Sequence, residues 1–219
     1  MSFESEDILR EEEEFILYSK DDRSLMLYSN GTFDFQVKRV TYKDEMTISD
    51  DECREIAEEA IVGSGLTGDD CTYSKIGYTL LEEIGVENSE TVVEKQVYFK
   101  RKIDDINVSG KNMFVVTIDA DGEIISILSN YMSIDDEIEE KQIIPVGEAI
   151  ENAKELKGMI ALDEKTDKVE IENVEVVYWE DSSTQYDVNT IQPVYKITGK
   201  AYCNGEEIGI FEAYEQAIK

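Results

Sequence analysis

Apolar and polar residues alternate over much of this chain, and in two stretches the apolar spacing changes to three and four. Apolar-rich segments at 15–18, 25–28 and 32–37 are separated by Asp21-Asp22 and Asn30-Gly31. Asn-Gly between two such runs is a strong hairpin signal, because both residues tolerate positive φ. A small antiparallel meander is therefore expected near the N-terminus, after an acidic stretch from Glu4 to Glu14 that reads as a frayed helix. Cys53, Ile56, Ala57, Ala60 and Ile61 fall on one helical stripe. Ser49 stands three residues before Glu52 as a capping box, and Ile48 is placed to staple against Cys53. With Gly63 and Gly65 closing it, a helix is predicted over 49–62. Strand patterns follow at 91–101, 113–118 and 123–128, the last two flanking Asp119-Ala-Asp-Gly122 as a second hairpin. Residues 103–110 read as a polar turn with alternating apolar positions. A charged run over 135–141 marks a boundary. Pro145 then opens a second helix with Val146, Ala149, Ile150, Ala153 and Leu156 as its stripe, and strands return at 169–179, 194–199 and 207–214.

A helix followed by antiparallel strands thus occurs twice. The expected fold class is α+β: two units, each a helix packed on an antiparallel sheet, preceded by the small N-terminal β-meander. The expected domains are residues 1–134, carrying meander, helix and strands, and residues 142–219.

Composition fits a folded chain. Its 219 residues suit one or two domains, 41% are hydrophobic, and only two are proline. Charge narrows the partners. With 21 basic and 51 acidic residues the net charge is -30, which repels phosphate backbones and anionic lipid headgroups. Nucleic acid is not expected as a partner; a basic protein, a cationic ligand or Ca²⁺ is left. Most of the charge is expected on a solvated surface. Its self-repulsion argues for a monomer, although an exposed edge strand would allow a homodimer. No apolar run is long enough to span a bilayer, and the residues from Met1 to Asp7 lack the basic and apolar regions of a signal peptide. That pattern fits a cytoplasmic protein, and equally an exported one whose leader or anchor lies outside this sequence.

The inventory of reactive groups is short. Histidine is absent, which removes His-based triads, His-ligated zinc and the HExxH helix. Neither a GxSxG elbow nor a Walker A loop occurs. Cys53, Cys71 and Cys203 have no histidine base and no CxxC spacing; Cys53 reads as a buried thiol on the helical stripe, and a Cys53–Cys71 disulfide stays open. Gly63-Ser-Gly65-Leu-Thr-Gly68 matches GxGxxG, but it follows a helix where the dinucleotide motif must precede one, so it reads as a helix C-cap and turn. Asp119-Ala-Asp-Gly-Glu123 looks like the start of a calcium loop. An EF-hand needs Gly at the sixth position and Glu at the twelfth; here Gly122 is fourth and Asn130 twelfth, so a hairpin turn is the better reading. Among so many acidic residues a pair suited to glycosidase chemistry carries no weight. The aromatics Tyr178, Trp179, Tyr186 and Tyr195 are the candidate lining of a ligand groove, with sheet packing as the competing reading. No catalytic residue, no metal ligand and no cofactor is expected.

One pattern points to a family. Val97-Tyr-Phe-Lys-Arg-Lys-Ile-Asp-Asp-Ile-Asn-Val-Ser-Gly110, followed by Phe114-Val-Val-Thr-Ile-Asp-Ala-Asp-Gly-Glu-Ile-Ile-Ser-Ile127, resembles the PepSY-like propeptide domains found ahead of thermolysin-type and fungalysin-type peptidases. Their pattern is an aromatic strand, I-D-G-I-P-V-x-G, and then D-x-x-G-x-I; here Asp105 replaces the Gly and Asn107 the Pro. Downstream, Ile144-Pro-Val-Gly-Glu-Ala-Ile-Glu151, Val174-Glu-Val-Val-Tyr178 and Gln192-Pro-Val-Tyr-Lys-Ile197 are similar to the later elements of YycH/YycI-type regulators. The resemblance covers about residues 92–199. It implies PepSY-like units in a non-catalytic, extracytoplasmic module of the Gram-positive type, acting by protein–protein contact on a sensor kinase. The alternative it implies is an inhibitory or chaperone-like prodomain for a secreted peptidase. The family's N-terminal anchor helix is not in this sequence, so membrane attachment would need an upstream segment.

Overall fold

The structure, a computed structural model, describes residues 3–38, 45–67, 70–82, 90–110, 113–131, 140–155, 159–161, 165–180 and 191–218. In chain order the strands and helices are β1 (Ile8–Glu11), β2 (Phe15–Lys20), β3 (Arg23–Tyr28), β4 (Phe33–Val37), α1 (Asp50–Ile61), β5 (Cys71–Leu81), β6 (Thr91–Ile103), β7 (Ile106–Gly110), β8 (Met113–Asp119), β9 (Ile124–Ser129), α2 (Val146–Lys154), β10 (Met159–Ala161), β11 (Lys168–Glu180), β12 (Gln192–Cys203) and β13 (Glu206–Gln216). They fall into two compact units, Met1–Lys102 with Lys111–Ile134, and Ile103–Gly110 with Asp135–Lys219.

In the first unit the strands run β1-β2-β3-β4-β9-β8-β6, and β5 pairs with β6; each of these pairings is antiparallel. In the second unit β7 pairs parallel with β11, and β11-β12-β13-β10 continue antiparallel.

This overturns the expected α+β class of two helix-on-sheet units. The chain is mostly β: the described residues hold thirteen strands and two helices of 12 and 9 residues. The meander is no preface, because β4 pairs with β9 and so belongs to the sheet of the first unit. The second unit's sheet is not purely antiparallel, because β7 pairs parallel with β11. Strand length is the physical reason. β5, β6, β11, β12 and β13 run to 11–13 residues each, and their paired backbone outweighs two short helices. The acidic stretch at the N-terminus is also not a helix beyond the single 3-10 turn Ser5–Asp7; β1 follows it. Residues 103–110 are not only a turn: Asp104 and Asp105, both at positive φ, form it, and β7 follows.

The first core joins Cys53, Ala57 and Ile61 of α1 to Val97 and Phe99 of β6 and Phe114, Val116 and Ile118 of β8. All are essentially without solvent contact, and the large ones contribute about 1.5–3 kcal/mol each on burial. The second unit has Ala149 and Ala153 of α2 with Ile144, Tyr195, Ile197, Phe211, Ala213 and Ala217. A smaller cluster, Val177 and Val194 with Trp179 and Tyr214, lies on the opposite face of β11–β13, as the two-residue period requires.

Candidate interaction surface

Strand register and a helix cap position a group of exposed apolar side chains in the first unit. β5 pairs along 71–81 with β6, and among the described residues its other edge has no partner. Its side chains follow from its register. Tyr73 pairs with Phe99, Ile76 with Val97 and Tyr78 with Lys95, so these three lie on the face that α1 covers. Irregularities between Tyr73 and Lys75 and between Thr79 and Leu80 shift the alternation, and Leu80 pairs with Val92. Tyr73 is 36% exposed, Tyr78 49%, Leu80 49% and Leu81 41%, which is unusual for large apolar residues close together on one strand.

Helix α1 overlooks this strand. Ser49 caps it: Glu52 N–H donates to Ser49 Oγ at 3.2 Å, and Ser49 N–H donates to Glu52 Oε2 at 3.0 Å. Such a cap stabilises a helix by about 1 kcal/mol, and the first-turn carboxylates Asp50, Asp51 and Glu52 meet the positive end of the helix dipole. Tyr78 Oη donates to Asp50 Oδ2 at 2.7 Å, and Lys95 Nζ lies 2.8 Å from Asp50 Oδ1. The hydrogen bond from Lys95, and then that from Tyr78, holds the Asp50 carboxyl below its usual range. The same bond to Asp50 raises the Tyr78 phenol. One turn along, the Arg54 guanidinium lies 4.6 Å from the Tyr73 ring centroid and 2.7 Å from Glu58. The start of β5 is held by Asp70, which accepts from the buried Arg101 at 2.7 Å. On the opposite face Lys75 sits 5.0 Å from the centre of the Tyr98 ring.

An open groove of about 370 Å³ lies on the other flank of α1. It is lined by Ile48, Ile56 and Gly122 and by the carboxylates Glu52, Glu55, Glu59 and Asp121. The neighbouring turn is the hairpin read from sequence, and Asp119 makes it: its Oδ1 accepts from the N–H groups of Asp121 at 2.9 Å and Glu123 at 2.8 Å. Among the described residues no group of His, Cys, Asp and Glu is arranged to hold a metal ion.

The four aromatics singled out in the sequence are placed as follows. Tyr178 and Trp179 are successive on β11 and so point to opposite faces. Trp179 packs on Tyr214, ring centroids 4.3 Å apart. Tyr195 is 3% exposed and its hydroxyl donates to the Ile144 carbonyl at 2.7 Å, which makes it a core residue of the second unit. Tyr186 lies outside the described residues. All three cysteines are free; burial raises the Cys53 thiol and pushes that of Cys71 up to about 11. The alternation of apolar residues does not delimit a strand at 71–81. Tyr73, Ile76, Tyr78 and Leu80 carry its signal, but the two irregularities break the strict alternation that would have marked it.

No protein-family model matches the chain, and no curated protein matches it. Among solved structures, the Bacillus megaterium YpeB C-terminal domain is similar with a TM-score of 0.44 and 9% identity, over 94% of this chain and 88% of that one. At that level the likeness carries no function across. No helix among the described residues is long and apolar enough to cross a membrane.

Proposed function

We propose that this chain is a non-catalytic regulatory module of the PepSY-like kind, acting outside the cell membrane through protein–protein contact, with β5 as the strand that a partner's extended segment joins. The observation that carries the reading is the open edge of β5. A strand edge offers a row of unpaired N–H and C=O groups, and main-chain pairing with an added strand supplies affinity while side-chain contacts supply specificity. Proteins normally blunt such edges by shortness, charge, proline or bulges; of these β5 has two irregularities and one lysine. In this chain β1 and β10 are 4 and 3 residues long. β5 has 11 residues, no proline, a single charged side chain in Lys75, and four exposed apolar ones. The sequence resemblance to YycH/YycI-type regulators supports the same reading, with an export signal or anchor upstream as part of it.

Photo-crosslinking in the producing cells tests this. Benzoylphenylalanine is placed at position 78 in one variant and at position 9 in another; Leu9 is 68% exposed on β1. A discrete protein adduct from position 78 and none from position 9 is the expected result. No protein adduct from position 78, or the same adducts from both, overturns the reading.

A further inference from the structure

We propose that the segment received by β5 is basic as well as extended, a strand whose Lys or Arg residues alternate with apolar ones and lie on the α1 side; this rests on the β5-edge reading above. Charge weighs against the simplest competitor. A second copy of the chain would bring another net charge of -30 to the same edge, whereas a cationic segment is drawn to it.

The local arrangement says which face carries the cations. A strand added beside β5 places every second side chain next to Tyr73 and Tyr78, on the face that α1 covers. There it meets two exposed tyrosine rings and the first-turn carboxylates of α1, while the two cations on this face, Lys95 and Arg54, are already matched by Asp50 and Glu58. Aromatic faces attract Lys and Arg, and on and beside β5 that contact already occurs, with Arg54 over Tyr73 and Lys75 over Tyr98. The opposite face presents Lys75 and the apolar Leu80. A cation there would be repelled by Lys75, while an apolar side chain would cover Leu80. Basic residues on one face and apolar residues on the other is the pattern of strict alternation.

Hydrogen exchange of the whole chain, read by mass spectrometry with synthetic peptides, tests this. Three peptides match the 11 residues of β5 and alternate Val with Lys, Val with Thr, or Val with Glu. A fourth repeats Val-Lys with the backbone nitrogens of one edge methylated. The Val-Lys peptide is expected to slow exchange over 71–81 and to bind about tenfold more tightly than Val-Thr, with affinity falling as salt rises. Methylation is expected to weaken it by about tenfold or more, since hydrogen bonds are lost while charge is kept. Val-Glu is expected not to bind. Equal protection of 71–81 by Val-Thr and Val-Lys overturns the basic chemistry and leaves the edge reading standing. If no peptide protects 71–81, or if Val-Lys protects only α1 and the turn at Asp121, or if methylation changes nothing, both fall.

Discussion

Gly110 closes the Val-Ser-Gly end of β7, and replacing it tests the parallel β7–β11 pairing. Its φ is +101°, and it pairs with Glu180. A Cβ there would lie 1.8 Å from the Glu180 carbonyl oxygen, so in Gly110→Ala the strand pair must separate by more than an ångström or the backbone must leave its conformation. Gly205, in the β12–β13 turn of the same unit, is the control. Its φ is +86°, and a Cβ would meet nothing within 4 Å. Gly205→Ala therefore carries only the backbone cost, about 1–2 kcal/mol. Gly110→Ala carries that plus disrupted strand pairing, about 3–5 kcal/mol in all. The chain's one tryptophan, Trp179, lies on β11 against Tyr214, so urea unfolding followed by its fluorescence reports this unit. Equal losses in the two variants would refute the pairing of β7 with β11.

Three further outcomes follow from the geometry. Because Asp50 has a folded value below its ordinary 3.8, its contribution to stability is complete above 3.8 and is lost as pH falls through the lower folded value. Wild type should melt above Asp50→Asn near neutrality and the gap should close in acid; a gap unchanged down the acid range would contradict this. Iodoacetamide at mildly alkaline pH should modify Cys203 well before Cys53 and Cys71 in the folded chain, because burial raises the latter two thiols; peptide mapping that finds Cys53 modified first would contradict the packing of α1. Tyr195→Phe should cost about 1–2 kcal/mol in urea unfolding, since the Ile144 carbonyl loses its buried donor; no loss would mean that the carbonyl finds water.

How much was legible follows the physics of each signal. Local chemistry was readable: Ser49 and Glu52 cap α1 as their spacing suggests, and hairpins occur around Asp21-Asp22, Asn30-Gly31 and Asp119–Gly122. Long-range pairing was not. The parallel contact of β7 with β11 joins residues about seventy apart, and no spacing in either segment announces it. Fold class went wrong for the same reason, because two apolar stripes of helical period stand out in a sequence more clearly than long strands whose alternation is shifted by bulges. Aromatic residue type alone does not separate a groove lining from a core. Burial then made Tyr195 a core hydrogen-bond donor, and pleating sent Tyr178 and Trp179 to opposite faces. That the second edge of β5 has no partner among the described residues depends on the rest of the sheet, which no residue pattern within the strand encodes.

The central claim is that β5 keeps one edge open for a partner. Residue-resolved hydrogen exchange of the free chain measures this directly. The account predicts that, apart from the two irregularities, the amides of 71–81 alternate between slow, where they bond to β6, and fast, where they face outward, while those of 94–100, paired on both sides, are uniformly slow. Uniformly slow exchange along β5 would show its edge already covered and would contradict the account.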